Sequence, residues 1–485
     1  MKKIIYIFVW LGSLLGLTSC ELDTAPTDAV NNGLALENIE NTEKVLNGTW
    51  AYLMDTYTTY RNPGWASLFR ASDAMASDVA VQPNKYGYLN HYSFTEMNTS
   101  KSTTTRAIWT LAYKSIDNMN HVLKAIDGLE GDEVTKKRIK GQAYALRGYL
   151  YLNLATYYGS AYTFKPESLA VPVYTEPSNS ATEGAARETV KNVYARAEED
   201  LLSAYDLIGN YERSAKHKID KNVVAGILAR LYQLKGNEWG KAQKYAEEGQ
   251  RNYSWMSKSD YLGGFNDRTN SEWIWGHGQT PEQSTASYNF NYLDVSSSVS
   301  GYYSFMADPF FQELFDKDDV RSQLFEWDVT RYKGGLMYKK FRYKADETGD
   351  IVLMRKAELV LIEAEAFAEL GQEDKAIAKL NELREARGAV TPDLSALSPS
   401  KLVDEILIER RKELFGEGFG LYDIKRRQQS VVRKAVADEY IPNSTDIKKK
   451  GHTIFRFSDG KDFAPNSGYY NFMPPALETD NNPNF

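Results

Sequence analysis

Apolar residues recur every three or four positions along much of the chain. Trp109, Ala112, Ile116, Met119, Leu123 and Ile126 fall on one face of a helix, with Gly128 placed to end it in a left-handed cap. Asp132 can N-cap the next helix, whose stripe is Ile139, Ala143, Leu146, Leu150, Leu154 and Tyr157 before Gly159. A third stripe runs Val190, Tyr194, Ala197, Leu201, Tyr205 and Ile208 to Gly209. The pattern predicts amphipathic helices in antiparallel pairs. Two later stretches resemble one another. In 360–387, Ala364 and Phe367 precede Gly371, and Ala376, Leu380 and Leu383 follow; in 220–251, Ala229, Tyr232 and Gly236 lead to Ala242 and Ala246. Small residues let two helices approach and large ones fill the hollow between pairs, so this spacing predicts tetratricopeptide-like units.

Between 253 and 350 the helical period fades, and Gly, Ser, Asn and aromatic residues take over. A long irregular region inside a folded chain is usually functional, and its aromatic content argues against disorder. Glu272-Trp273-Ile274-Trp275 alternates as a short strand would, burying one Trp and exposing the other. Residues 284–305 hold seven Ser, four Tyr, two Phe and two Asn, a mix that suits binding loops because Tyr offers rigid contact area and Ser and Asn adaptable hydrogen bonds. Residues 57–92 read as a second aromatic loop, and the chain from 443 onward is again irregular.

Composition sharpens this picture in two places. The formal net charge of −7 over 485 residues lacks the excess of basic residues expected of a general nucleic-acid binder. The 33 Tyr outnumber the 20 Phe and 9 Trp together, so much of the aromatic surface carries a polar handle suited to grooves and interfaces. The single Cys, at position 20, follows Lys2, Lys3 and an apolar run over 4–17 that is too short to cross ~30 Å of hydrocarbon, and closes Leu17-Thr18-Ser19-Cys20. This is the layout of a bacterial lipoprotein signal over 1–19, with lipid on Cys20 and a polar tether over 20–34. The expected consequence is a protein anchored to a membrane and not threaded through it.

Signatures of catalysis are missing. The five His, at 91, 121, 217, 277 and 452, are never closer than 30 positions, which excludes a helix-borne His pair for zinc. There is no Gly-x-x-x-x-Gly-Lys loop, and Gly416, Gly418 and Gly420 follow a charged helix and not a strand. Glu363, Glu365 and Glu369 read as a solvated or ion-paired helix face.

Eight segments in order resemble the SusD/RagB family of outer-membrane nutrient-uptake lipoproteins. They are the lipoprotein start with Leu22-Asp23-Thr24-Ala25-Pro26-Thr27-Asp28; Trp109, Tyr113, Ile116 and Asn120; Ala145-Leu146-Arg147-Gly148-Tyr149 through Tyr158-Gly159; Asp319-Val320-Arg321; Arg355, Glu358, Leu361 and Ala364-Glu365-Ala366; Glu409-Arg410-Arg411-Lys412-Glu413-Leu414; Glu417-Gly418 with Asp423; and Phe472-Met473-Pro474-Pro475 with Asn482-Pro483. The resemblance implies an all-α fold of tetratricopeptide-like pairs, a SusD-like superhelix with an irregular, loop-rich ligand-binding side. Its parts would be an N-terminal helical part over 35–255, an aromatic insertion over 256–350 and a C-terminal part over 351–485, packed as one body. It also implies a non-catalytic protein on the outer face of the outer membrane, without metal or cofactor, that captures a glycan for a SusC-like TonB-dependent transporter. Peptide binding, as some relatives show, and a scaffold that binds only proteins are the alternatives. Glu358, Glu365, Glu409, Arg410 and Asp423 are expected to hold the core together. Gly420 departs from the family, many of whose members have Arg there, so any ion pair that Arg makes is expected to be absent here or replaced by Lys425 or Arg426.

Aromatics that lie outside helical stripes in polar loops are the candidates for stacking on a sugar, whose C–H faces suit Trp and Tyr. Those are Trp65, Tyr86, Tyr88, Tyr288, Tyr292, Tyr302 and Tyr303, with Asn289, Asn291 and Asp294 as polar partners. The two loops are expected to meet on one face, with Trp65 or a Tyr of the second loop at its centre.

Overall fold

Each apolar stripe becomes a helix whose first turn is closed by a residue of the right chemistry. The computed structural model describes residues 36–55, 62–82, 87–96, 99–280 and 287–485. Its principal helices are α1 (Ile39–Met54), α2 (Ala66–Ala74), α3 (Thr103–Ala125), α4 (Glu133–Tyr158), α5 (Val190–Ile208), α6 (Lys221–Lys235), α7 (Trp239–Gln250), α8 (Lys356–Glu369), α9 (Glu373–Arg387), α10 (Pro399–Leu414) and α11 (Gly420–Arg426). Side chains of Asn38, Ser102, Asp132, Thr189 and Asp220 accept backbone N–H groups at the starts of α1, α3, α4, α5 and α6, satisfying donors that have no partner within the helix. Gly236 and Gly388 close α6 and α9 in the left-handed region at φ +68°. At α3 the expectation fails: the helix tightens into a 3-10 turn, Ile126–Gly128, and Gly128 is not left-handed.

Packing runs from one helix to the next. α4 packs on α3 and α5, α6 on α7, α7 on α8, and α8 on both α9 and α10. This is the all-α, tetratricopeptide-like architecture expected from the repeats. After α7 the chain makes an excursion of about a hundred residues and returns through a strand pair. The strands are β1 (Val79–Val81), β2 (Leu169–Pro172), β3 (Arg187–Thr189), β4 (Trp273–His277), β5 (Phe305–Ala307), β6 (Phe325–Trp327), β7 (Leu336–Tyr338) and β8 (Ile351–Arg355). β4 pairs antiparallel with β8, with Gly276 opposite Val352 and His277 opposite Ile351, and this return sets α8 beside α7. The approach is close: a Cβ on Gly226 of α6 would lie 2.1 Å from Met354 Sδ. β1, β5, β7 and β6 form a four-stranded sheet in that order, joining the 57–92 and 284–305 regions through Val79 opposite Ala307 and Val81 opposite Phe305.

Two local readings are corrected. The 57–92 region contains α2, in which Ala66, Ser67, Leu68, Arg70, Ala71, Ser72, Asp73 and Ala74 are all buried; a helix of nine residues makes about two and a half turns, too few for a period to stand out from a loop. In β4 both Trp273 and Trp275 are buried, at 1% and 0% exposure: alternation sets residues two apart on the same side of a strand and so does not separate them, and this strand is covered on both faces.

A buried ionic network ties the excursion to the repeats. Glu413 of α10 accepts from Arg321 at 2.8 Å, Arg355 at 2.5 Å and Arg387 at 2.8 Å, and all four side chains are essentially inaccessible. Glu272, just before β4, joins Arg355 and Arg387 at 2.8 Å each. Glu409 receives Arg321 and Arg384, and Glu358 receives Arg230. Glu365 is buried and held by Arg426 at 2.6 Å, while Glu363 receives Gln250 and Lys379, so these acids are an ion-paired face and not a solvated one. Arg426 also binds Asp423, which Arg410 shares. Of the two residues considered in place of an Arg at 420, Arg426 binds the Glu365 and Asp423 carboxylates, whereas Lys425 donates to the Gly159 carbonyl and Asn471.

Ala376 is fully buried among Leu380, Leu383 and the residues of α8 and α10. Ala376→Leu is expected to overpack this junction and cost about 1–3 kcal/mol, read as a lower denaturation midpoint. An unchanged midpoint would show that the repeat alignment is wrong.

Candidate functional site

The expected site residues divide by burial. Trp65 precedes α2 and has 0% of its surface exposed; its Nε1–H donates to the Tyr149 hydroxyl at 3.0 Å. A ring so enclosed has no face for a ligand, and the expectation of Trp65 as central stacking residue is corrected. Tyr88 and Tyr292 are enclosed too, at 1% and 0%. They meet edge to face at 5.0 Å, and Phe305 packs on both. Asp294, 1% exposed, accepts the backbone N–H groups of Ser296, Ser297 and Tyr343 at 2.9–3.0 Å. Its carboxylate shapes the loop and does not face a ligand. Asn289 is 3% exposed, on the short helix Ser287–Leu293. Cys20 and Tyr86 lie outside the described residues, as does the side chain of Tyr288.

The remaining three are neighbours, but only Asn291 and Tyr302 reach the surface; Tyr303 is buried at 7% exposure, and its expected place as a ligand contact is corrected. Tyr302 is half-buried and stacks on Tyr292 with centroids 5.0 Å apart and planes 14° off parallel. Tyr88, Tyr292 and Tyr302 thus form a three-ring series from the 57–92 and 284–305 regions, of which Tyr302 is the least buried. Asn291, half-buried, accepts the Gly301 N–H at 2.7 Å through Oδ1, and its carbonyl accepts Tyr303 N–H at 2.8 Å. These bonds hold Tyr303 at φ +32°, a conformation that a non-glycine residue keeps only when its surroundings impose it. The Arg331 guanidinium lies 3.5 Å from the centroid of the Tyr303 ring and donates to the carbonyls of Ser297 and Ser300, both at 2.6 Å. Arg331 itself is fixed by Asp328, whose carboxylate accepts the N–H groups of Thr330, Arg331 and Tyr332 at 2.7–3.0 Å. Burial raises the Asp328 carboxyl, but these donors outweigh it and hold the group below the ordinary aspartate range. Tyr332 packs against the same cluster as Tyr303, Met306 and Met337, with Lys450 Nζ 4.3 Å from its ring. Val299 and Val329 stand exposed nearby, at 45% and 50%. An apolar, aromatic surface edged by amide and guanidinium donors can bind a ligand that has C–H faces and hydroxyl groups.

Sequence reasoning missed Arg331, Tyr332 and Lys450. A local signal existed in Arg331-Tyr332-Lys333 before the Gly334-Gly335 turn, but their nearness to Tyr303 depends on contacts far apart in the chain.

A cavity of about 460 Å³ lies at the opposite end of the β1–β5 ribbon, where Asp78 and Asp308 are neighbours; its lining includes Phe310, Arg410, Arg411 and Gly420. Arg411 binds Asp78 at 2.6 Å, whereas burial and the nearby Asp78 charge raise the Asp308 carboxyl to about 7. Among the described residues no group of three or more His, Cys, Asp or Glu is placed to hold a metal ion, and no helix is long and apolar enough to cross a membrane.

Comparison with known proteins matches residues 30–233 to a family described as starch-binding and associating with the outer membrane, and residues 325–485 to the SusD family. A solved SusD-like carbohydrate binding protein from Bacteroides vulgatus is 44% identical, with 92% of this chain and 97% of that one covered and a TM-score of 0.88. A SusD superfamily protein from Bacteroides thetaiotaomicron shares the fold at 23% identity, with a TM-score of 0.77 over 92% of this chain and 98% of that one. A curated SusD-like protein from Formosa agariphila is 38% identical over 93 residues, a match that spans 18% of each chain.

Proposed function

The chain belongs to the SusD family, and from that premise we propose that it is a cell-surface lipoprotein that binds an oligosaccharide or polysaccharide at the Tyr302 face and hands it to a SusC-like TonB-dependent transporter. Binding is its whole task, and no bond of the ligand is broken. The observation that carries this reading is the three-ring series ending at Tyr302, flanked by Asn291 and Arg331, on a chain 44% identical to a solved carbohydrate binding protein. A sugar ring set on Tyr302 would bury its C–H face while the amide and guanidinium groups take its hydroxyls.

Screening the purified protein against oligosaccharide and peptide panels tests the reading. Oligosaccharide binding is expected. Binding of peptides alone would move the protein to the peptide-capturing alternative, and binding of neither would leave a scaffold for other proteins. The anchor is tested separately. In cells lacking the transporter, Cys20→Ala is expected to release folded protein from the membrane fraction. Retention of folded Cys20→Ala protein there would contradict lipidation at this residue.

A further inference from the structure

The rim over Tyr332 and Tyr303, the latter next in the chain to Tyr302, is positively charged although the chain as a whole is acidic, with a formal net charge of −7. Two loops build it. The turn after β6 carries Arg331 and Lys333; the strand-like segment that ends at Lys450 runs against it, Lys450 N–H donating to the Gly334 carbonyl at 2.8 Å. Arg331, Lys333 and Lys450 are all exposed.

What matters is which of these charges are already neutralised. Lys448 meets Asp438 at 2.6 Å and Lys449 meets Glu439 at 2.7 Å, so those two are neutralised in place. Arg331 donates to carbonyls and lies on Tyr303, and Lys450 lies over Tyr332. Among the described residues neither these two nor Lys333 has a carboxylate within ion-pair distance. The acids of the neighbouring segments are placed elsewhere: Asp328 is 2% exposed beneath the turn and bound by three backbone N–H groups, Asp308 is 5% exposed and packed behind Gly451, and Asp446 sits at the far tip of the 439–449 hairpin, beyond the Ile441–Ile447 hydrogen bond. Three exposed cations interleaved with aromatic rings, with no acid among the described residues to neutralise them, make a surface complementary to negative charge.

We infer that the ligand of this face is an anionic oligosaccharide, carrying carboxylate or sulfate groups, whose charges lie against Arg331, Lys333 and Lys450 while a sugar ring rests on Tyr302. This inference rests on the glycan-binding reading and adds to it the class of glycan. Neutral rings alone would need the aromatic face and hydroxyl partners, but not a row of unneutralised cations.

Titration of the purified protein with oligomers of polygalacturonate and alginate as carboxylated probes, carrageenan as sulfated probe, and galactan and mannan as neutral probes tests it. At least one anionic probe is expected to bind about tenfold or more tighter than the neutral ones, with affinity falling as salt rises from about 0.05 to 0.5 M. The arm that binds identifies carboxylate or sulfate. Lys450→Glu is expected to weaken that binding about tenfold. Lys137→Glu, an equal change of charge on an exposed turn of α4, should leave it within twofold. If neutral probes bind as tightly as anionic ones, or Lys450→Glu has no more effect than Lys137→Glu, the charge preference is overturned while glycan binding stands. Binding of no oligosaccharide would overturn both.

Discussion

Glu413→Ala is expected to cost about 3–5 kcal/mol of stability. Arg321, Arg355 and Arg387 converge on this one carboxylate in a site without solvent. Removing it leaves three guanidinium groups buried around a hole, and burying an uncompensated charge is among the largest single penalties a folded protein can suffer. The neighbouring acids Glu272, Glu409 and Glu417 soften the loss without filling the place. Urea denaturation of Glu413→Ala beside Glu405→Ala measures it. Glu405 also meets an arginine, Arg384 at 3.0 Å, but its side chain is 34% exposed, and its removal should cost less than about 1 kcal/mol. Equal midpoints for the two variants would show that the network does not hold the excursion to the repeats.

The pH dependence has a definite sign. Although burial disfavours their charged forms, surrounding cations hold Glu413 well below the ordinary glutamate value of 4.5 and Glu409 at about 2. A carboxylate lowered on folding contributes stability that is fully present above its unfolded value and is lost as pH falls through its folded value. The deficit of Glu413→Ala relative to the native protein should therefore be constant near neutrality and shrink below about pH 4.5.

Tyr302→Ala is expected to weaken oligosaccharide binding by about 1–3 kcal/mol, the usual cost of removing an aromatic anchor, with little change in melting temperature because Tyr302 is the least buried ring of its series. Trp65→Ala should do the reverse, lowering stability by about 3–5 kcal/mol through the cavity it leaves. Calorimetric titration paired with thermal melting separates the two effects. Loss of stability without selective loss of affinity at Tyr302 would place that ring in the core and the platform elsewhere.

The contrast between these residues shows what local pattern can reveal. The long stripes of α3 and α5 were legible because a helix packed on one side writes its period into the sequence, and that of α4 was legible through its length although its second half is buried all round. Trp65 looked like a loop aromatic because α2, which follows it, has only nine residues in which a period could show. Trp273 and Trp275, two apart, share one side of a strand, and β4 is covered on both faces. Within 284–305, Tyr292 and Tyr302 have similar neighbours in sequence; only the stacking of one on the other decides which is interior. Arg331 and Lys450 are farther still from any local rule, since it is the backbone bond between Lys450 and Gly334 that brings them to one rim. Glu358, Glu365, Glu409, Arg410 and Asp423 were readable as structural for a chemical reason: charges at helix junctions persist when they are paired.

A crystal structure of the protein with an oligosaccharide selected from the binding panels tests the central claim most directly. The account predicts a sugar ring against Tyr302, with polar groups of the ligand within hydrogen-bonding reach of Asn291 or Arg331. Density for the sugar in the cavity lined by Phe310 and Arg411, at the other end of the β1–β5 ribbon, with Tyr302 left uncovered, would contradict it.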